Sequence, residues 1–185
     1  MSGPSPLRTP WALLRTLRAD LDAMNGDPLT RRRLGVVLRL AVHPRFRAVA
    51  LFRLSQFLFV HRPSRVLALL LSARILRLAG AELSPAARIG PRLKLMHTTG
   101  IVVGPQVRAG WGLSLHQGVT LGDRRPGQGQ PRLGDRVSIG AGALVLGPVR
   151  IGDDARIGAG ALVVRDVADG AVVRAPSARA ADGGA

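Results

Sequence analysis

The chain has 185 residues, 46% of them hydrophobic and 21% charged, with no cysteine. That apolar share excludes a wholly disordered chain. The missing cysteine excludes a disulfide scaffold, thiolate metal sites, iron–sulfur clusters and a cysteine nucleophile. The formal charge is +16, from 27 basic and 11 acidic residues, with +11 carried by residues 1–80 and +5 by 81–185. Lys94 is the one lysine, so the excess is arginine, which beside abundant Ala, Gly and Leu reads as a coding bias; no nucleic-acid partner is expected. No stretch reaches the roughly 18 uninterrupted apolar residues of a membrane span. No export signal opens the chain, so a cytoplasmic location is expected.

The first 80 residues read as a small helical bundle. Thr9-Pro10 is an N-cap and first-turn pair ahead of WALLRTLRADLDAM, and Asn25-Gly26 is a stop signal. A second helix is predicted from about 30 to 42. A third starts at Pro44 and carries Phe46, Val49, Phe52 and Phe57 as core residues. A fourth follows Pro63-Ser64 and ends near Gly80.

From Leu83 the period changes. An aliphatic residue recurs every sixth position through Ile89, Leu95, Ile101, Val107, Leu113 and Val119, and again through Leu133, Ile139, Val145, Ile151, Ile157 and Val163. A helix repeats near 3.6 and an exposed strand near 2, so neither explains a period of six. Six-residue recurrence with glycine after the aliphatic residue is the mark of the hexapeptide β-helix: each repeat makes one short strand and a corner, and three close a coil of about 18 residues. The region from 83 to about 168 then supplies between four and five coils. The 14 residues from Val119 to Leu133 exceed two hexapeptides by two and include GDRRPGQGQP, read as a loop extruded near 123–131. The fold class is therefore α+β: helices over 1–80, a parallel β-helix over 81–168 and a tail over 169–185.

Several strings resemble a known family. HTTGIVVG at 97–104, HQGVTLG at 116–122, IGAGALVLGPVRIGDDARIGAGALVVRDV at 139–167 and APSAR at 175–179 look like the left-handed β-helix acyltransferases, most closely the serine O-acetyltransferases. HPRFRAVALFRLSQFL at 43–58 is similar to the last helices before that family's β-helix. The resemblance implies a left-handed coil and acetyl transfer from acetyl-CoA to a hydroxyl. An alcohol is a poor nucleophile at neutral pH until a base takes its proton, a task suited to imidazole. His97 stands where the family's catalytic histidine stands, and Glu82, fifteen residues earlier, stands where the family carries the carboxylate that orients it. His116, about one coil on, is a candidate substrate contact. Ala141-Gly142 and Ala159-Gly160 match the positions lining the family's pantetheine groove, and Arg156 and Arg174 are candidates for the phosphates of coenzyme A.

The family's pattern is not kept throughout. Met96 replaces an aspartate before the catalytic histidine, and Gly129 and Gln130 replace the loop Arg-His that holds the amino acid. Arg124 or Arg125 would then supply the cation for a serine carboxylate, and Asp27 of Asp27-Pro28 matches a contact to the serine amine. Three functions follow as expectations: serine O-acetyltransferase in cysteine synthesis; an acetyltransferase acting on a sugar or secondary-metabolite hydroxyl; and a scaffold that kept the coil without the chemistry. The resemblance also implies a homotrimer, with pairing of two trimers through the helices as a further option. The ADGGA terminus lacks the isoleucine with which some relatives dock into a cysteine synthase, so that partnership is not expected. No metal site is expected, because the four histidines lack paired ligand spacing.

Overall fold

A computed structural model describes residues 4–24 and 43–176. Helices α1 (Pro10–Met24), α2 (Pro44–Val60) and α3 (Arg65–Ala79) precede fourteen strands of two or three residues. The Thr9 hydroxyl accepts the Ala12 N–H at 3.1 Å, the cap that the sequence predicts. Gly80 ends α3 in the left-handed conformation (φ 63°). Phe46, Val49 and Phe52 are fully buried. Phe57 is half-buried and meets the His61 ring edge-on at 5.0 Å. The predicted helix at 30–42, with Asn25, Gly26 and Asp27, lies outside the described residues.

The strands stack in parallel as three sheets, the faces of a left-handed triangular prism of about five coils. The first sheet holds β1 (Glu82–Leu83), β4 (Val102–Val103), β7 (Thr120–Gly122), β10 (Leu144–Leu146) and β13 (Leu162–Val163). The second holds β2 (Arg88–Ile89), β5 (Arg108–Ala109), β8 (Arg132–Leu133) and β11 (Arg150–Ile151). The third holds β3 (Lys94–Leu95), β6 (Ser114–Leu115), β9 (Ser138–Ile139), β12 (Arg156–Ile157) and β14 (Val172–Val173). Each coil therefore turns three corners: an opening corner from first to second sheet, a middle corner, and a closing corner back to the first.

Each hexapeptide buries two side chains, not one. The second residue of each strand points inward, and so does the residue two positions before it at the corner: Leu115 and Leu113, Ile139 and Val137, Val145 and Ala143 are all fully enclosed. This corrects the position of the break in the repeat. Val102 pairs with Thr120, a regular coil of 18 residues, but Glu82 pairs with Val102 across 20 and Thr120 with Leu144 across 24. The strand column runs Leu83, Ile89, Leu95, Val103, Ala109, Leu115, Leu121, Leu133. Ile101, Val107, Leu113 and Val119 belong to the corner column instead. The two surplus residues thus sit between Leu95 and Val103, at the closing corner. The loop between Leu121 and Leu133 adds one hexapeptide.

One core runs without interruption from α1 through β13. At its helical end the first coil has no preceding coil to bond with, so its backbone groups need partners from elsewhere. Arg53 of α2, fully buried, donates to the carbonyls of Ile89 (2.6 Å) and Gly90 (2.7 Å), to both Asp20 oxygens (2.7 and 3.2 Å) and to Gln56 Oε1 (2.8 Å). Gln56 donates to the Ala87 carbonyl at 2.7 Å, and Asp20 Oδ1 accepts the Leu93 N–H at 2.9 Å. A buried ion pair survives only with its hydrogen-bonding capacity filled, and here the first coil fills it.

Candidate active site

The closing corner gathers most of the residues singled out in the sequence. His97 lies on the insertion after β3, exposed, between the exposed Met96 and half-buried Thr98. Two surplus residues let the backbone swing out of the coil and present the imidazole. The turn is fastened at its far end, where the Gly100 N–H donates to the Gly80 carbonyl (2.8 Å) and the Glu82 N–H to the Ile101 carbonyl (2.8 Å). The strand carrying Glu82 is thereby bonded directly to the turn carrying His97. Both side chains are exposed, and no hydrogen bond joins them among the described residues.

One coil on, His116 follows β6 at the same corner, half-buried, its N–H donating to the Ile139 carbonyl at 3.1 Å. Ala141-Gly142 and Ala159-Gly160 occupy the next two levels. Gly100, Gly118, Gly142 and Gly160 form a column of left-handed residues with φ between 67° and 73°, each passing the chain into the next strand. A Cβ on Gly118 would lie 3.4 Å from the Gly142 Cα, whereas one on Gly142 would meet nothing within 4 Å. The corner therefore offers a narrow open shelf of small residues, which suits an extended amide chain such as pantetheine. Arg156 starts β12 and Arg174 follows β14; both are exposed on the third sheet near this shelf.

The loop residues lie elsewhere. Arg124 and Arg125 are exposed on the segment between β7 and β8, at the opening corner. Gln130 at its base is half-buried, and its Oε1 accepts the Gln106 N–H at 2.8 Å, so this side chain is tied to the coil below. Within one chain the width of the first sheet separates these residues from His97. That sheet is the least charged face: its outward side chains are Glu82, Val102, Thr120, Leu144 and Leu162, and Leu162 is 60% exposed.

The buried Asp20, Arg53 and Gln56 were not singled out as site residues from the sequence. Arg53 and Gln56 continue the helical spacing of Phe46 and Val49 along α2, and polar residues on an otherwise apolar stripe are the signal that finds them. Among the described residues, no group of three His, Asp or Glu is arranged to hold a metal ion, and no helix is long and apolar enough to cross a membrane.

Residues 131–165 match the family model of the bacterial transferase hexapeptide (six repeats). The chain is 43% identical over 159 residues to probable serine acetyltransferase 4 of Oryza sativa, covering 84% of this chain and 49% of that protein. It is 36% identical over 126 residues to the serine acetyltransferase of Helicobacter pylori, covering 67% and 71%. The crystal structure of Neisseria gonorrhoeae serine acetyltransferase in complex with serine superposes with a TM-score of 0.76 at 36% identity, covering 90% of this chain and 68% of that one. The chain spans about half the length of the rice relative. Sequence, coil and overall superposition agree, and the chain belongs to the serine acetyltransferase family.

Proposed function

We propose that the chain is an acetyl-CoA-dependent serine O-acetyltransferase of the cytoplasm, serving cysteine synthesis, with His97 as its general base. The observation that carries this reading is the two-residue insertion that lifts His97 out of the coil beside the strand of Glu82, in a chain 36% identical to a relative crystallised with serine. Bound acetyl-CoA supplies the acyl group as a thioester. His97 takes the proton from the serine hydroxyl as its oxygen bonds to the acyl carbon, and returns that proton to the departing sulfur. Glu82 is a positioning residue: its carboxylate fixes the imidazole tautomer and favours the imidazolium as it forms. Ala141-Gly142 and Ala159-Gly160 hold the pantetheine, Arg156 and Arg174 the phosphates, and His116 lines the acceptor side.

The working form is a homotrimer built through the first sheet. Its weakly charged outer row favours burial. Packing that sheet against a neighbour's opening corner carries the neighbour's Arg124 and Arg125 towards His97, where they meet the serine carboxylate. In this reading residues 1–80 cap the coil and 81–168 carry the chemistry.

A second reading, acetylation of a sugar or other metabolite hydroxyl, is favoured by Met96 beside His97 and by the commitment of Gln130 to Gln106. Thiol release from acetyl-CoA, measured with L-serine, homoserine and a panel of sugars, separates the two. Serine is expected to support turnover, and His97→Ala to lower kcat by about 10²–10⁴-fold. Glu82→Gln is expected to lower kcat by a smaller factor and to shift the pH profile. Turnover with sugars alone would establish the second reading.

A further inference from the structure

The second sheet carries a feature that acetyl transfer leaves unexplained. Its outward residues are Arg88, Arg108, Arg132 and Arg150, paired rung to rung in strict register. Rungs lie about 4.8 Å apart, so four like charges are stacked within about 15 Å. Like charges directly opposite on a sheet repel, and nothing in a coil requires them, since the outward position is free to hold any residue. None of the four forms a salt bridge with a described residue; Arg108 only donates to the Pro105 and Val107 carbonyls. Burial, and then the guanidiniums of Arg88 and Arg132, lower the Arg108 pKa from its ordinary value.

Three of these arginines, Arg108, Arg132 and Arg150, line a cleft of about 560 Å³ together with Trp111, Asp135 and Pro4 of the N-terminal segment. The Asp135 carboxylate lies at the same cleft, its Oδ1 held by the Trp111 backbone N–H at 2.9 Å, and it leaves the three arginines in charge excess. Trp111 is 39% exposed, and the Arg136 guanidinium lies over its ring, 5.0 Å from the centroid. Arg136 is in turn hydrogen-bonded by Asp154, so the indole stacks against a tethered guanidinium. The volume is that of a small-molecule site. Guanidinium forks one rung apart suit successive phosphate groups, and an indole suits a heterocyclic base.

We propose that this cleft binds a nucleoside polyphosphate, its phosphates along Arg108, Arg132 and Arg150 and its base on Trp111. The site lies on the second sheet, away from the closing corner, and so differs from the acetyl-CoA shelf. It goes beyond the acyltransferase reading and does not depend on it.

The test is isothermal titration of the full-length protein at low salt with ATP, with inorganic tripolyphosphate and with coenzyme A. ATP is expected to bind saturably in the micromolar range. Arg132→Gln/Arg150→Gln is expected to weaken ATP by at least about tenfold. Trp111→Ala is expected to weaken ATP but leave tripolyphosphate as it was. Absence of saturable ATP binding up to millimolar concentration would overturn the proposal. So would ATP binding that the double variant does not alter and coenzyme A displaces, or tripolyphosphate binding as tightly as ATP.

Discussion

Within the coil, each turn of chain satisfies the backbone of the turn before it: the Met96 N–H reaches the Leu115 carbonyl, the His116 N–H the Ile139 carbonyl and the Gly140 N–H the Ile157 carbonyl. At the helical end no such neighbour exists, and three polar side chains from α1 and α2 take its place. The coil is a repetitive structure in which a fault at one level is shared with adjacent levels. The cap is a single buried cluster with no second copy. Stability should accordingly fail first at the cap, although it holds far fewer hydrogen bonds.

Removing the cap's cation should have the largest effect. Arg53→Met leaves the Asp20 carboxylate buried and unpaired, and is expected to cost about 3–5 kcal/mol in denaturant unfolding. Adding Asp20→Leu to that variant should recover a large part of the loss, because two apolar groups replace the pair; additive losses would show that the cluster is not one unit. A smaller effect is expected in the coil. Gly118→Ala places a Cβ in the left-handed region, at about 1–2 kcal/mol, and against the Gly142 Cα. If Gly118→Ala unfolds the protein as readily as Arg53→Met, the contrast between the two ends fails.

The smallest effect concerns pH. Arg136 holds the exposed Asp154 across one rung, and its hydrogen bonds lower the Asp154 pKa below the ordinary carboxylate value. A depressed carboxylate contributes stability at pH above its unfolded pKa and loses it as pH falls through the folded one. Arg136→Gln should therefore lower stability slightly at neutral pH and not in strong acid, which flattens the acid limb of the stability curve. A large loss at neutral pH would contradict a solvent-screened pair.

The same contrast explains what could be read from the sequence. A coil repeats its constraints, so thirteen residues in step identified the architecture, and the loop near 123–131 stood out as a gap. The two-residue insertion at His97 was hidden because Ile101 happens to fall six residues after Leu95, although one fills a corner column and the other a strand column. Pattern alone cannot separate two buried columns that share a period. The helices were legible from Thr9-Pro10, Pro44 and Gly80. The cap was not, because Asp20, Ile89 and Gly90, the partners of Arg53 beyond its own helix, lie 33 to 37 residues away in sequence. The loop residues were legible only against the family's pattern, which gives no position in space: Arg124, Arg125 and Gln130 sit on a different corner from His97.

A site completed by a neighbouring chain predicts that inactive variants complement one another when mixed. His97→Ala chains and Arg124→Ala/Arg125→Ala chains are each expected to be nearly inactive in serine-dependent thiol release. Unfolded together and refolded as mixed trimers, they should regain a substantial fraction of activity, because some sites then combine an intact His97 from one chain with an intact loop from the next. Activity of the mixture no higher than that of the separate variants, or an arginine variant as active as the parent, would contradict a site shared between chains.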